Sequence, residues 1–168
     1  MEDLPDILVR SLADAEREIP KLDASDAIVS IGAPETQAPD GFDHENDRHL
    51  RLEFDDVATD RPQFGEDRVR PPRKDHIIQL VENAETLLEA ELVYCHCAAG
   101  VSRSSAAAYI LHCFARDHGE ESEALEAVKD ENPHASPNSL MVEYADEVLE
   151  RSGNMMDALQ SSRTNMAF

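Results

Sequence analysis

The chain has 168 residues, 41% of them hydrophobic, which suits one compact domain with one buried core. It carries 36 acidic against 15 basic residues, a formal net charge of −21, and that balance excludes nucleic acid as a partner, because counterion release needs a positive field. No apolar run reaches the roughly 18 residues of a membrane span, and MEDLPDIL at the N-terminus has no basic, apolar leader pattern, so a cytoplasmic monomer without a membrane partner is expected.

In chain order, residues 7–10 read as a short strand and residues 12–22 as a charged helix. Asp26–Ile31 reads as a buried strand, ended by Gly32 and Pro34. Residues 33–48 are polar and turn-rich and predict a loop. Leu50–Phe54 alternates apolar and charged residues, as a half-buried strand does. Residues 55–72, with three prolines, predict an irregular excursion. Helical spacing of Ile77, Leu80, Val81, Ala84, Leu87 and Leu88 predicts a helix from about Arg73 to Ala90, with Pro71 and Pro72 at its start. Leu92–His96 is a short apolar strand. Helices are predicted over 102–117, 120–131 and 137–152. Residues 1–152 thus read as a single domain, and 153–168 as a weakly structured tail. The alternation predicts an α/β fold, with a small, mainly parallel central sheet and helices on both faces. Ligands of such sheets bind beyond the carboxyl ends of the strands.

The charge carries further information. A net of about 2–8 in magnitude suffices for the solubility of a small domain. At low salt, −21 opposes compaction by self-repulsion, whereas at about 1 M salt the Debye length is only about 3 Å. The acids are spread along the chain rather than gathered in a tail, so the surface reads as suited to a high-salt cytoplasm.

Chemistry gathers after the strand 92–96, in Cys97-Ala98-Ala99-Gly100-Val101-Ser102-Arg103-Ser104-Ser105. The strand delivers Cys97 to a short loop of small residues that turns at Gly100 and opens a helix near Ser102. Successive backbone N–H groups and a helix N-terminus there converge on one point, which suits a tetrahedral oxyanion. The same field favours a thiolate at Cys97. Arg103 is placed to fold back as a bidentate phosphate ligand, and a thiolate beneath a bound phosphate is a nucleophile aimed at phosphorus. His96 is read as orienting the loop by hydrogen bonding, and Ser104 as a hydroxyl donor to the sulfur. Ala98, Ala99, Gly100, Val101 and Ser102 complete the phosphate-binding loop. Neither a cofactor nor a metal enters this chemistry, and the other histidines lack paired metal-ligand spacing.

These residues match His-Cys-x5-Arg-Ser/Thr, the signature of the protein tyrosine phosphatase superfamily, and the chain most resembles its short dual-specificity group. The resemblance covers about residues 26–150 and includes NPHASPN at 132–138, similar to a proline-asparagine segment of the family. It implies a phosphatase P-loop between a strand and a helix, and a cysteinyl-phosphate intermediate. A phosphoprotein or a small phosphoester would be the substrate; a phosphate-binding module without turnover is the reading from outside enzymology. The resemblance also implies an aspartate acid on a neighbouring loop. Asp56, at the end of the strand 50–54, is the first choice, ahead of Asp55. Its interval to Cys97 is longer than the family's usual one, which Asp67 would shorten.

Two features stand apart. Residues 61–74 hold Arg61, Arg68, Arg70, Arg73 and Lys74, five of the 15 basic residues, and are read either as framing the site mouth for an anionic substrate, with Phe64 against an aromatic leaving group, or as surface cations paired with acids. Cys95, two residues before Cys97 on one strand face, reads as a buried apolar residue, since a disulfide between the two would be strained. Cys113 reads as a core residue of the helix 102–117.

Overall fold

The structure is a computed structural model and describes residues 3–60 and 69–165. Four strands, β1 (Asp6–Arg10), β2 (Ala27–Gly32), β3 (His49–Glu53) and β4 (Leu92–His96), form one parallel sheet in the order β1-β4-β2-β3. The last-formed strand sits between the first two, so Cys97 leaves the sheet from an interior position rather than an edge. One register row crosses the carboxyl end of the sheet: Arg10 opposes His96, His96 opposes Ser30, and Ser30 opposes Arg51.

Alternation sorts the strands' side chains between two faces. Ile7, Val9, Val29, Ile31, Leu52, Val93 and Cys95 enter the main core. Three helices pack on that face, α2 (Lys74–Leu88), α3 (Arg103–Phe114) and α4 (Glu121–Glu131), and α5 (Ser139–Val148) and α6 (Asn154–Asn165) pack against these helices. Every residue of α3 from Arg103 to Cys113 is buried, as befits a helix enclosed by sheet and helices. The opposite face is covered more thinly. A short helix, α1 (Leu12–Glu18), and the 3-10 turn Ile19–Lys21 that follows pack Ala15 and Ile19 on Ile28 and Tyr94. The edge of β1 is protected by Glu131, whose carboxylate accepts from Val9 N at 2.8 Å and pairs with Arg10. No described helix is long and apolar enough to cross a membrane.

The α/β reading with a mainly parallel sheet holds, every strand pairing being parallel, and helices do lie on both faces, though very unequally. Pro20 breaks the expected helix 12–22 into the helix and the 3-10 turn. The helix expected over 137–152 is α5 alone, begun by the Asn138 side chain accepting from Met141 N and ended before Glu150, which is left-handed at φ 54°. The expectation of a weakly structured tail needs correction. Residues 154–165 form α6, with Met155 and Leu159 buried in the main core. Its N-terminus is capped from a distance: Asp146 on α5 accepts from Gly153 N at 2.7 Å and Met155 N at 2.8 Å, satisfying first-turn donors and placing a carboxylate at the positive end of the helix. Arg151 completes the corner. It pairs with Glu121 at 3.0 Å, both side chains 4% exposed, and donates to the carbonyls of Cys113, Arg116 and Asp117 beyond α3.

Candidate active site

Cys97 lies at the floor of the loop between β4 and α3, 2% exposed, its N–H donating to Arg10 O at 3.3 Å. Gly100 makes the tight return with φ +72°. A Cβ there would come within 2.6 Å of the backbone of Arg10 and Ser11, so the loop rests on the exit of β1 and no larger residue fits. Four of the loop's carbonyls are turned outward to donors. Leu12 N reaches Ala98 O at 3.0 Å, Asn132 Nδ2 reaches Gly100 O at 2.9 Å, Ser136 N reaches Val101 O at 2.8 Å and Asn138 N reaches Ser102 O at 3.1 Å. Because each peptide is planar and trans, these bonds turn the N–H groups of Ala99, Val101, Ser102 and Arg103 inward. None of the N–H groups of residues 98–103 donates to another protein group among the described residues. A ring of unused donors at a helix N-terminus is a built anion cradle.

Ser104 Oγ lies 3.1 Å from Cys97 Sγ. Arg103 is 6% exposed. Its Nη1 donates to Phe54 O at 2.7 Å, which anchors the guanidinium to the end of β3, and its buried Nε has no partner. An unpaired buried guanidinium donor is costly, and an oxyanion in the cradle would satisfy it. Asp56 follows β3 by three residues. Its Oδ1 accepts from Ser102 Oγ at 2.7 Å and Asn138 Nδ2 at 3.0 Å, so the carboxyl is tied to the rim of the loop. A cleft of about 340 Å³ opens there, lined by Asp56, Val101, Ser102, Asn138 and Arg163 among others. Asp55 is engaged elsewhere: its N–H donates to Arg70 O at 2.7 Å and its Oδ2 accepts from Arg70 N at 2.8 Å. Among the described residues, no group of three or more His, Cys, Asp or Glu side chains is arranged to hold a metal ion.

His96 is 1% exposed on the thinly covered face, with Nδ1 3.3 Å from Cys97 O and Nε2 2.6 Å from Ser30 Oγ. Burial, helped by the nearby Arg51 and Arg103 cations, lowers its pKa from 6.5 to about 4. His112 on α3, which accepts from Arg116 at 2.7 Å, is likewise lowered to about 4 by burial. Both rings are therefore neutral at pH 7. Between pH 6.5 and 4 the unfolded chain binds more protons at these sites than the folded one, so stability falls as the pH drops through that window and is level above it. At 1.4 kcal/mol for each pKa unit, each ring costs up to about 3 kcal/mol at the acid end. Denaturation followed from pH 7 to 4 in molar KCl should show this loss, and His112→Gln should remove about half of it. An equally steep loss in His112→Gln would mean that His112 is not the group responsible.

The site residues read from the sequence thus meet in one place: Cys97, Arg103, Ser104 and His96, with Asp56 at the rim. The reading missed the bracing groups, namely Phe54 O, the side chains of Asn132 and Asn138, and the pair Ser30 and Arg51. Only the two asparagines left a signal, in NPHASPN. Cys95 and Cys113 are fully buried free thiols, with the Cys113 pKa pushed up to about 12 by burial, in line with packing roles. Of the basic segment, Arg70 lies 3.8 Å from Glu35 and Lys74 lies 3.0 Å from Glu147, so these two cations have acidic partners. Arg61, Phe64, Asp67 and Arg68 lie outside the described residues.

No family model matches the sequence, and no curated protein matches it. Solved structures do. Human DUSP28 superposes with a TM-score of 0.58 over 94% of this chain and 96% of its own, at 16% identity. The fold is that of the dual-specificity phosphatases. A mouse putative dual specificity phosphatase complexed with zinc tungstate has a TM-score of 0.60 at 14% identity, covering 90% of this chain and 86% of its own. PTPMT1 in complex with PI(5)P has a TM-score of 0.54 at 20% identity, covering 88% and 94%. The dual-specificity phosphatase fold thus extends along most of the chain, although the sequences share few residues.

Proposed function

We propose that the chain is a phosphomonoester hydrolase that works through a cysteinyl-phosphate intermediate. The observation that carries the reading is the Cys97 thiol at the floor of a ring of unused N–H donors, beside the unpartnered Nε of Arg103. The substrate phosphoryl group sits in the cradle with Arg103 as its side-chain clamp. The Cys97 thiolate attacks phosphorus, the P–O bond to the leaving group breaks, and Asp56 gives that oxygen a proton. With Oδ1 of Asp56 held by Ser102 and Asn138, Oδ2 is the atom that carries the proton. Water then attacks the phosphocysteine, Asp56 takes a proton from it, and the P–S bond breaks. The Ser104 hydroxyl stabilises the departing thiolate. His96 keeps the loop in shape and transfers no proton.

The leading substrate class is a phosphorylated protein side chain, with a small phosphoester as the alternative. No lysine lies between positions 98 and 102, which disfavours a polyphosphorylated headgroup. A phosphate-binding module without turnover would need a missing catalytic group, and Cys97, Arg103 and Ser104 are all in place. The net charge of −21 favours function at high salt, as a cytoplasmic monomer with no nucleic-acid partner.

Rapid mixing with p-nitrophenyl phosphate in molar KCl, without added metal, tests the mechanism. The expected result is turnover, with acid-quenched protein carrying phosphate on cysteine. Asp56→Asn should lower kcat by about 10²-fold or more, the usual worth of a general acid. Phosphate binding without any turnover would favour the binding module. Unchanged kcat in Asp56→Asn would move the acid to another residue.

A further inference from the structure

On the face of the sheet away from the main core, polar groups form one continuous chain along the register row. Arg51 Nη1 donates to Ser30 Oγ at 2.8 Å, Ser30 Oγ meets His96 Nε2 at 2.6 Å, and His96 Nδ1 meets Cys97 O at 3.3 Å. At the other end, Arg51 Nη2 donates to Thr36 Oγ1 at 2.9 Å and Thr36 O at 3.2 Å. Space for the guanidinium is built in at Gly32. A Cβ there would overlap Arg51 Nη2 and would stand 2.8 Å from Thr36 Oγ1.

The direction of this chain follows from donor chemistry alone. A guanidinium only donates, so the Ser30 oxygen accepts from Arg51. Ser30 is fully buried and its oxygen has no third polar partner among the described residues, so its single proton is satisfied only when His96 Nε2 accepts it. The neutral imidazole therefore carries its proton on Nδ1, facing the carbonyl of Cys97, which only accepts. We propose that Arg51, through Ser30, is a positioning residue that fixes the Nδ1–H tautomer of His96 and thereby holds the Cys97–Ala98 peptide with its N–H turned into the anion cradle. The proposal assigns a role to two residues on other strands, far from the loop in sequence. Without Arg51, the Ser30 hydroxyl is free to accept from Nε2–H. The other tautomer would then set an imidazole lone pair against the carbonyl oxygen, and the peptide would lose its brace.

The role in catalysis rests on the phosphatase reading, but the tautomer does not, so the two can fail separately. Long-range proton–nitrogen NMR of the His96 ring reads the tautomer directly, and titration with inorganic phosphate reads the cradle. In the native protein Nδ1 should be protonated and Nε2 bare. Arg51→Met should populate the other tautomer and weaken phosphate binding roughly tenfold, the size of one hydrogen bond. Ser30→Thr, which keeps the hydroxyl, should retain the native tautomer and affinity. Arg51→Lys keeps one donor for Ser30 while losing Thr36, and it too should retain the tautomer; it serves as the folded comparison should Arg51→Met not fold. A native ring protonated on Nε2 would overturn the proposal, as would an Arg51→Met protein with an unchanged tautomer and unchanged phosphate affinity. A native protein with the Nδ1–H tautomer but no affinity for phosphate would instead overturn the phosphatase reading.

Discussion

Replacing Cys97 by serine is expected to abolish phosphoester turnover, a loss of about 10⁴-fold or more, while leaving inorganic phosphate bound within a few-fold of the native affinity. The two halves of this expectation come from different atoms. Turnover needs a sulfur anion at the floor of the cradle, and a serine hydroxyl stays protonated. Binding needs the inward N–H groups of Ala99, Val101, Ser102 and Arg103, which are held by outward carbonyl bonds to Leu12, Asn132, Ser136 and Asn138 and do not involve the thiol. Exchange of sulfur for oxygen also preserves the contact with Ser104, now between two hydroxyls. Turnover in Cys97→Ser at a tenth of the native rate would assign the nucleophile elsewhere, and loss of both turnover and binding would mean that the thiol shapes the loop.

Arg103→Lys should fail in both respects. The guanidinium performs two tasks at once: Nη1 is committed to Phe54 O at 2.7 Å, and the buried Nε faces no protein acceptor. An ammonium is a point charge and cannot span both positions with fixed geometry. Losing one aimed donor to an oxyanion costs roughly 10²–10³ in rate. kcat/KM should fall by that factor, and phosphate affinity should fall with it, in contrast to Cys97→Ser. Native-like kinetics in Arg103→Lys would reduce Arg103 to a tether for the end of β3.

The centre of the site was legible in the sequence because its determinants are contiguous. A strand, a thiol, small residues, one glycine and the first turn of a helix follow one another between Leu92 and Ala106, and local geometry brings them together. Asp56 was legible because a strand end is also a local feature, and the parallel sheet then carries it to the edge where β4 ends. Ser30 and Arg51 were not. Each looks like an ordinary outward residue of its own strand, and their connection to His96 exists only once the register across β3, β2 and β4 is known. The last helix was missed for a related reason. Its cap, Asp146, stands on the preceding helix, and its buried contribution is only Met155 and Leu159, too few to print a periodicity. Helix ends elsewhere shifted where a proline, as at Pro20, or a left-handed residue, as at Glu150, overrode the apolar pattern.

The two hydrogen bonds between Asp55 and Arg70 have a consequence for how this protein could be rebuilt. The bonds bring the two ends of the stretch together at one clasp, so a change of length between Val57 and Arg70 leaves those ends where they are. Closing a loop twice as long adds only about 0.6 kcal/mol. The clasp also marks where foreign sequence belongs in engineering. Asn138 holds Asp56 and the carbonyl of Val57, so a graft that starts beyond Val57 and ends before Arg70 would leave Asp56 and the loop after Cys97 in place.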